Sequence, residues 1–414
     1  MAGLQSRLIA AGASALALWG AGFGSIQAHA QTQNQDLDPA AVHRSALVLD
    51  GHADVLLPST PQRYWLPNGG SRVDLDHLTR GGVDAIVLSV AVGPGPGDAA
   101  GVREARAQAD AKLAAIKAFV ASNPQRIGLA LSADDVERLV GEGRVAVLIG
   151  FQNARSIGAD LSQIDVFYRE GVRVFAFNHA GHNAFSDSSR PIDTPVAEHH
   201  GLSPIGRQAV ARLNDLGVLI DVSQLSSEAL AQTLALTRAP VAATHSNARA
   251  RIENTRNLTD AELDAIKANG GIVQLTPFNA YLVEPDAAAR DRIGAVRAQY
   301  GLSQDFATAT DGYAGLGERQ QAFLDALASL LPKATVSDYV DQLDYVAKRI
   351  GWEHVGVGTD FNHGAGVIGF DSAADAPAVT RELLKRGYTP AQINAIWGGN
   401  FLRVLRAAEA ARRT

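Results

Sequence analysis

In the stretch VLDGHADVL, residues 48–56, an apolar run stops at Asp50 and is followed by His52 and Asp54. Residues two apart in an extended segment point to the same side. If the strand persists past Asp50, an imidazole and a carboxylate converge, and that pair is half of a zinc site, since Zn2+ accepts both ligand types. The spacing alone is weak evidence, because an aspartate that orients a structural histidine gives the same pattern. Other apolar runs end in polar groups too: Gln152-Asn153, Asn178-His179, Ser223-Gln224, Thr244-His245 and Asp360. His245 closes APVAATHS, where it is either a side chain delivered to a site or a neighbour of a helix cap at Ser246. Asp360 closes VGVGTD, whose glycines let the backbone crowd close, and a carboxylate there suits metal binding or general-base work.

These polar ends need a scaffold that brings them to one place. Runs rich in Val, Ile, Leu and Ala, the pattern of strands buried on both faces, occur at 45–50, 83–92, 145–151, 172–178, 217–223, 239–245, 270–276 and 354–360. Helical patterns lie between them, including 101–122, 203–216 with Ser203 as cap and Pro204 in the first turn, and 258–269 capped at Thr259 or Asp260. Eight such alternations predict a (β/α)8 TIM barrel, with a doubly wound open sheet as the alternative. In a barrel the active face is the C-terminal end of the strands, where the polar groups fall. The segment 277–353, between the seventh and eighth runs, is too long for an ordinary loop and is expected to be an insertion, either a lid or a surface excursion. No linker divides the rest, so 31–414 reads as one domain.

The leader is separate. Arg7 precedes the apolar run LIAAGASALALWGAGFGSI and the small-residue site Ala28-His29-Ala30, the layout of a signal peptide over residues 1–30 that sends the protein to a periplasm or outside the cell. No later run is apolar enough to span a bilayer, so no membrane span is expected after processing. A net charge of -6 gives no reason to expect nucleic acid as a partner. With no cysteine in the chain, a metal site must use His, Asp, Glu and amide groups.

Across nearly the whole mature sequence the chain resembles the membrane dipeptidase (renal dipeptidase) family of zinc dipeptidases. The segments that carry the resemblance are VLDGHADV, HAGHNAFSDSS, GLSPIGRQAVARLNDLGVLIDVS, LTRAPVAATHSNAR, TRNLTDAEL, VGVGTDFNH and IWGGNFLRVL. The resemblance implies a binuclear zinc (β/α)8 enzyme that hydrolyses dipeptides, and it leaves room for a homodimer. It implies that His52 and Asp54 bind the first zinc and His245 the second. It further implies that His179 polarises the substrate carbonyl, Arg256 receives the substrate carboxylate, and Asp360 stands beside the attacking water. A guanidinium suits a carboxylate, and a metal lowers the pKa of water toward about 7, which agrees with those roles.

Two positions depart from the family pattern. Where a bridging glutamate is expected the chain has Gln152, and where a histidine of the second zinc is expected it has Gln224. An amide keeps the shape of a glutamate but not its charge, and is a poor zinc ligand. One zinc per chain is therefore expected rather than two, in a hydrolase for dipeptides or related small amides with a free carboxylate. Two other readings stay open: a binding protein that has lost its metal, and a non-hydrolytic enzyme using Asp360 and His182 next to a carbonyl. His199, His200 and His363 are further imidazoles, each read singly as a surface or supporting group.

Overall fold

The computed structural model describes residues 37–192, 196–304, 316–317 and 319–413. The leader at 1–30 lies outside them. The strands are β1 (Leu49–Asp54), β2 (Ala85–Ala91), β3 (Ile127–Leu129), β4 (Val145–Gln152), β5 (Val172–Ala176), β6 (Leu219–Asp221), β7 (Ala242–Ala243), β8 (Ile272–Leu275) and β9 (Val355–Val357). They run parallel in the order β1-β2-β4-β5-β6-β7-β8-β9, with β3 paired to the first residues of β4, ahead of the stretch that pairs β5. Each of the eight apolar runs supplies one strand of this path. The circuit is nearly closed by backbone pairing between the two ends: Asp54 N donates to Phe361 O (2.9 Å) and Asp360 N to His52 O (2.8 Å). The fold is a (β/α)8 barrel, and the open-sheet alternative falls away.

Among the described strands only β3, three residues long, escapes the sequence pattern, because Ile127-Gly128-Leu129 is too short to show a period. Helix starts follow their caps. Ser203 accepts from Gly206 N ahead of Pro204, and Thr259 forms a reciprocal capping box with Glu262. The helix expected from residue 101 begins two residues earlier, at Ala99, because Asp98 caps it by accepting from Gly101 N. Between β8 and β9 lie the helices Ala287–Gln299, Gln320–Ala328 and Val336–Ile350. The last belongs to the barrel wall, with Tyr339 donating to Leu275 O (3.1 Å). The connection between β8 and β9 thus has close to the expected bounds of 277–353, and its last helix is an ordinary part of the barrel.

Packing places the site at one end. An apolar cluster joins the first residues of the strands, among them Leu49, Ala85, Ala146 and Ile272, to Phe401, Leu402 and Leu405 of the C-terminal helix Asn400–Ala410. That helix covers the N-terminal end of the barrel and leaves the other end to polar groups. Among the described residues no helix is long and apolar enough to cross a membrane.

A second anchor ties the chain ends to the wall. Trp397 Nε1 donates to Thr380 Oγ1 (2.9 Å), Thr380 donates to His43 Nδ1 (2.7 Å), and His43 Nε2 donates to Gly81 O (2.7 Å). This chain of donors needs a neutral imidazole, and burial holds the His43 pKa below its usual value. A lowered folded-state pKa leaves the unfolded chain binding the proton more readily. Stability is thus full above about pH 6.5 and lost as the pH falls toward the folded pKa. His43→Gln is expected to reduce stability at pH 8 and to flatten the decline between about pH 6.5 and 5, as read from urea midpoints across that range.

Candidate active site

The C-terminal strand ends gather the chemistry-bearing residues. His52 and Asp54 lie on β1, Gln152 ends β4, and His179 follows β5. Gln224 follows β6, His245 follows β7, and Asp360 follows β9. All of these side chains are buried. Asn153, Gln224, Asp360 and Asn362 adopt left-handed backbone, at φ 82°, 67°, 56° and 65°. Such strain in non-glycine residues collects where the surrounding structure fixes a functional group. The glycine before Asp360 has a steric reason: a Cβ on Gly358 would lie 1.7 Å from Thr244 O, so only glycine lets β9 approach the end of β7.

The two histidines form the centre. The His52 and His245 rings stack with centroids 3.8 Å apart, which requires neutral imidazoles, and burial pushes the His52 pKa down to about 4 and that of His245 well below its usual value. Thr244 Oγ1 donates to Asp221 Oδ2 (2.5 Å) and accepts from His245 Nδ1 (2.8 Å), which leaves the His245 Nε2 lone pair exposed as an acceptor. The amides of Gln152 (3.1 Å) and Gln224 (3.3 Å) both point an Nε2 at that lone pair. His245 Nε2 is thus satisfied by two amides without an ion, although Gln224 Oε1 has no partner of its own.

The other half differs. His52 Nε2 and Asp54 Oδ1 are buried with no hydrogen-bond partner, as is Gln224 Oε1. His52 Nε2 lies 4.0 Å from Asp360 Oδ1. Burial raises the Asp360 carboxyl to about 7, with Asp54 adding to the rise and His363 and Arg256 opposing it. Asp54 behaves in the opposite way. Burial would raise its pKa, yet Lys112 and His363 hold it well below the ordinary range. Both grip the outer oxygen: Lys112 Nζ and His363 Nδ1 each lie 3.1 Å from Asp54 Oδ2.

Asp221 comes within 4.8 Å of the His52 and His245 ring nitrogens, a ligand-type cluster that sequence reasoning did not single out. Its oxygens are already engaged by Ser223 N, Thr244 N and Thr244 Oγ1, so Asp221 buttresses the joint between β6 and β7.

At the rim, His363 Nε2 lies 3.1 Å from His179 Nε2, and Tyr64 stacks on the His363 ring at 5.3 Å. His179 Nδ1 has no partner. Arg256 is buried and directs Nη1 to Ser246 Oγ (3.1 Å) and Nη2 to His245 O (2.6 Å), which commits two of its five donors. Tyr281, from the long β8–β9 connection, lies under the guanidinium at 5.8 Å. The structure therefore joins His52, Asp54, Gln152, His179, Gln224, His245, Arg256 and Asp360 through contacts among themselves and His363. His182 and His199 instead brace the loop after β5: His182 Nδ1 accepts from Ser188 N (3.0 Å), and His199 Nε2 meets Asn183 O (2.9 Å).

A profile described as membrane dipeptidase, peptidase family M19, matches residues 38–414. The chain belongs to that family. It is, by that membership and its homologues, a metallodipeptidase of M19 type. Its M19 relatives include dipeptidase tcpJ of Claviceps purpurea, 30% identical over 81% of this chain and 69% of that protein. Dipeptidase 3 of Macaca fascicularis is also 30% identical, over 90% of this chain and 67% of its own. The chain thus spans about two thirds of the length of these curated relatives. Among solved structures, the probable dipeptidase PvdM from Pseudomonas aeruginosa superposes with a TM-score of 0.81 at 35% identity, over 92% of this chain and 99% of that one. M19 enzymes depend on metal, and His52, Asp221 and His245 form a buried group of ligand-type side chains here.

Proposed function

We propose that this M19 member is an exported dipeptidase with one zinc site rather than two, acting on dipeptides or related small amides that carry a free carboxylate. One contrast supports this reading. His52 Nε2 and Asp54 Oδ1 are buried donors with nothing to bind, whereas His245 Nε2, which the family resemblance gives to a second metal, already accepts from two amides. Nitrogen and oxygen donors of that kind suit Zn2+, and amide N–H groups do not.

In this reading His52 and Asp54 hold the ion and Asp360 stands beside them as general base. A bound zinc ion would supply an acidified water and polarisation of the scissile carbonyl. Asp360, with its carboxyl raised to about 7, takes the proton from the attacking water and returns it to the leaving amine. His179 offers its unpartnered Nδ1 at the rim for the carbonyl oxygen. Arg256 presents its remaining donors to the substrate carboxylate, in a fixed orientation set by Ser246 and His245 O. Export rests on the leader pattern of residues 1–30.

The test is elemental analysis of the mature protein, purified without chelator, exposed to excess Zn2+ and dialysed, followed by hydrolysis of a dipeptide panel. About one zinc per chain with hydrolysis is the expected result. Two zinc ions would show that the glutamines are tolerated as ligands, and none would overturn the zinc reading.

A further inference from the structure

We propose that Lys112 is a built-in counter-cation to Asp54 that restrains how tightly the centre holds a divalent metal. The proposal rests on the single-zinc reading above and concerns a residue that the reading does not use.

Lys112 lies in the helix Ala99–Ser122, where other charged side chains pair at the surface, Arg106 with Asp110 and Lys117 with Glu170. Lys112 instead turns inward. Its side chain is 15% exposed, and its Nζ reaches Asp54 Oδ2 (3.1 Å), a carboxylate only 4% exposed. Burying an ammonium is costly unless a partner compensates, so a lysine placed here marks a definite electrostatic role. His363 Nδ1 meets the same oxygen at 3.1 Å, so Oδ2 has two partners and Oδ1 none.

Two consequences oppose each other. Fixing Oδ2 holds the carboxylate in one orientation with Oδ1 left unpartnered, which favours an incoming ion. The ammonium, however, already matches the carboxylate's charge, and it repels a dication with twice the energy of a unit pair, in a site where little water screens the field. Orientation survives loss of Lys112, because His363 still holds Oδ2. Repulsion does not survive it, so charge outweighs orientation. The buried guanidinium of Arg256 adds positive charge to the same centre, and Gln152 and Gln224 add no negative charge to offset it. With Lys112 in place the metal-free protein also keeps Asp54 compensated, and the fold does not depend on an ion for that carboxylate.

The test is a chelator-competition titration of Zn2+ into the mature protein, comparing wild type with Lys112→Met and Lys112→Arg. Lys112→Met is expected to bind zinc about tenfold more tightly or better, equivalent to about 1.4 kcal/mol. Its metal-free form should melt below the wild type, as followed by circular dichroism, because Asp54 has lost one of its two partners. Lys112→Arg keeps the charge and is expected to stay within about threefold of the wild-type affinity. Should Lys112→Met fail to fold, Lys112→Gln carries the same expectation with a neutral donor. Zinc binding that is unchanged or weaker in the neutral variants overturns the counter-cation role and leaves Lys112 as a positioning group. If neither wild type nor any variant takes up zinc, the single-zinc reading and this proposal fall together.

Discussion

Asp360→Asn is expected to lower kcat/KM for a dipeptide by about 10²–10⁴-fold, the usual contribution of a positioned general base, while zinc stays bound at the wild-type stoichiometry. The substitution isolates the proton-accepting role. Asparagine keeps the size of aspartate and tolerates left-handed backbone, so the φ of 56° at this position does not select against it. The backbone contact that closes the barrel, Asp360 N to His52 O at 2.8 Å, does not involve the side chain and persists. What disappears is a buried carboxyl raised to about 7 and 4.0 Å from His52 Nε2, beside the unpartnered donors. Asp54 is held ionised by Lys112 and His363, and Asp221 is committed to Thr244 and Ser223, so neither can take its place. Steady-state kinetics alongside elemental analysis checks the outcome. Activity within about tenfold of wild type would assign the base to another group.

Most of the architecture was legible in the sequence because buried parallel strands write themselves as continuous apolar runs. Each of the eight runs became a strand, and their polar ends gave His52, Asp54, Gln152, His179, Gln224, His245 and Asp360. A strand end has a defined direction, so a residue placed there has a defined destination. β3 was not legible, since three residues carry no period. The bounds of the long connection were legible from the flanking strands, but not which part of it joins the barrel wall: Val336–Ile350 is an amphipathic helix like any other, and its place shows only in the packing of Val340, Leu343 and Val346 and in Tyr339 reaching Leu275 O. His363 left a weak signal, three residues past Asp360, but its grip on Asp54 and His179 depends on the turn made by Asp360 and Asn362. Lys112 left none. It sits in a helix with many charged residues, and nothing in the spacing distinguishes the one that faces inward. The hydrogen bonding of the glutamines was equally hidden. Their identity announced a lost charge, but only the Thr244–Asp221 contact fixes the His245 tautomer and turns both amides toward it.

The same geometry makes the double variant Gln152→Glu, Gln224→His the sharpest test of the proposed single-zinc site, and it is expected to raise zinc from about one to about two per chain. Each change removes one of the amide donors that now satisfy His245 Nε2, so the lone pair becomes available only when both are made. Together the two substitutions add one negative charge and one imidazole, a donor set matching the family pattern, and histidine is among the residues that tolerate the left-handed backbone found at Gln224. Without metal the variant carries a buried acid against the His245 ring, and its melting temperature should fall below that of the wild type. Zinc should then restore it by mass action, with about 2.7 kcal/mol of stabilisation at a free concentration about a hundred times the dissociation constant. A single substitution leaves one amide on His245 and is expected to gain neither the second ion nor the zinc-dependent stabilisation. Elemental analysis and melting curves with and without zinc separate these cases. One zinc per chain in the double variant would mean that the barrel mouth, and not the two glutamines, sets the metal count.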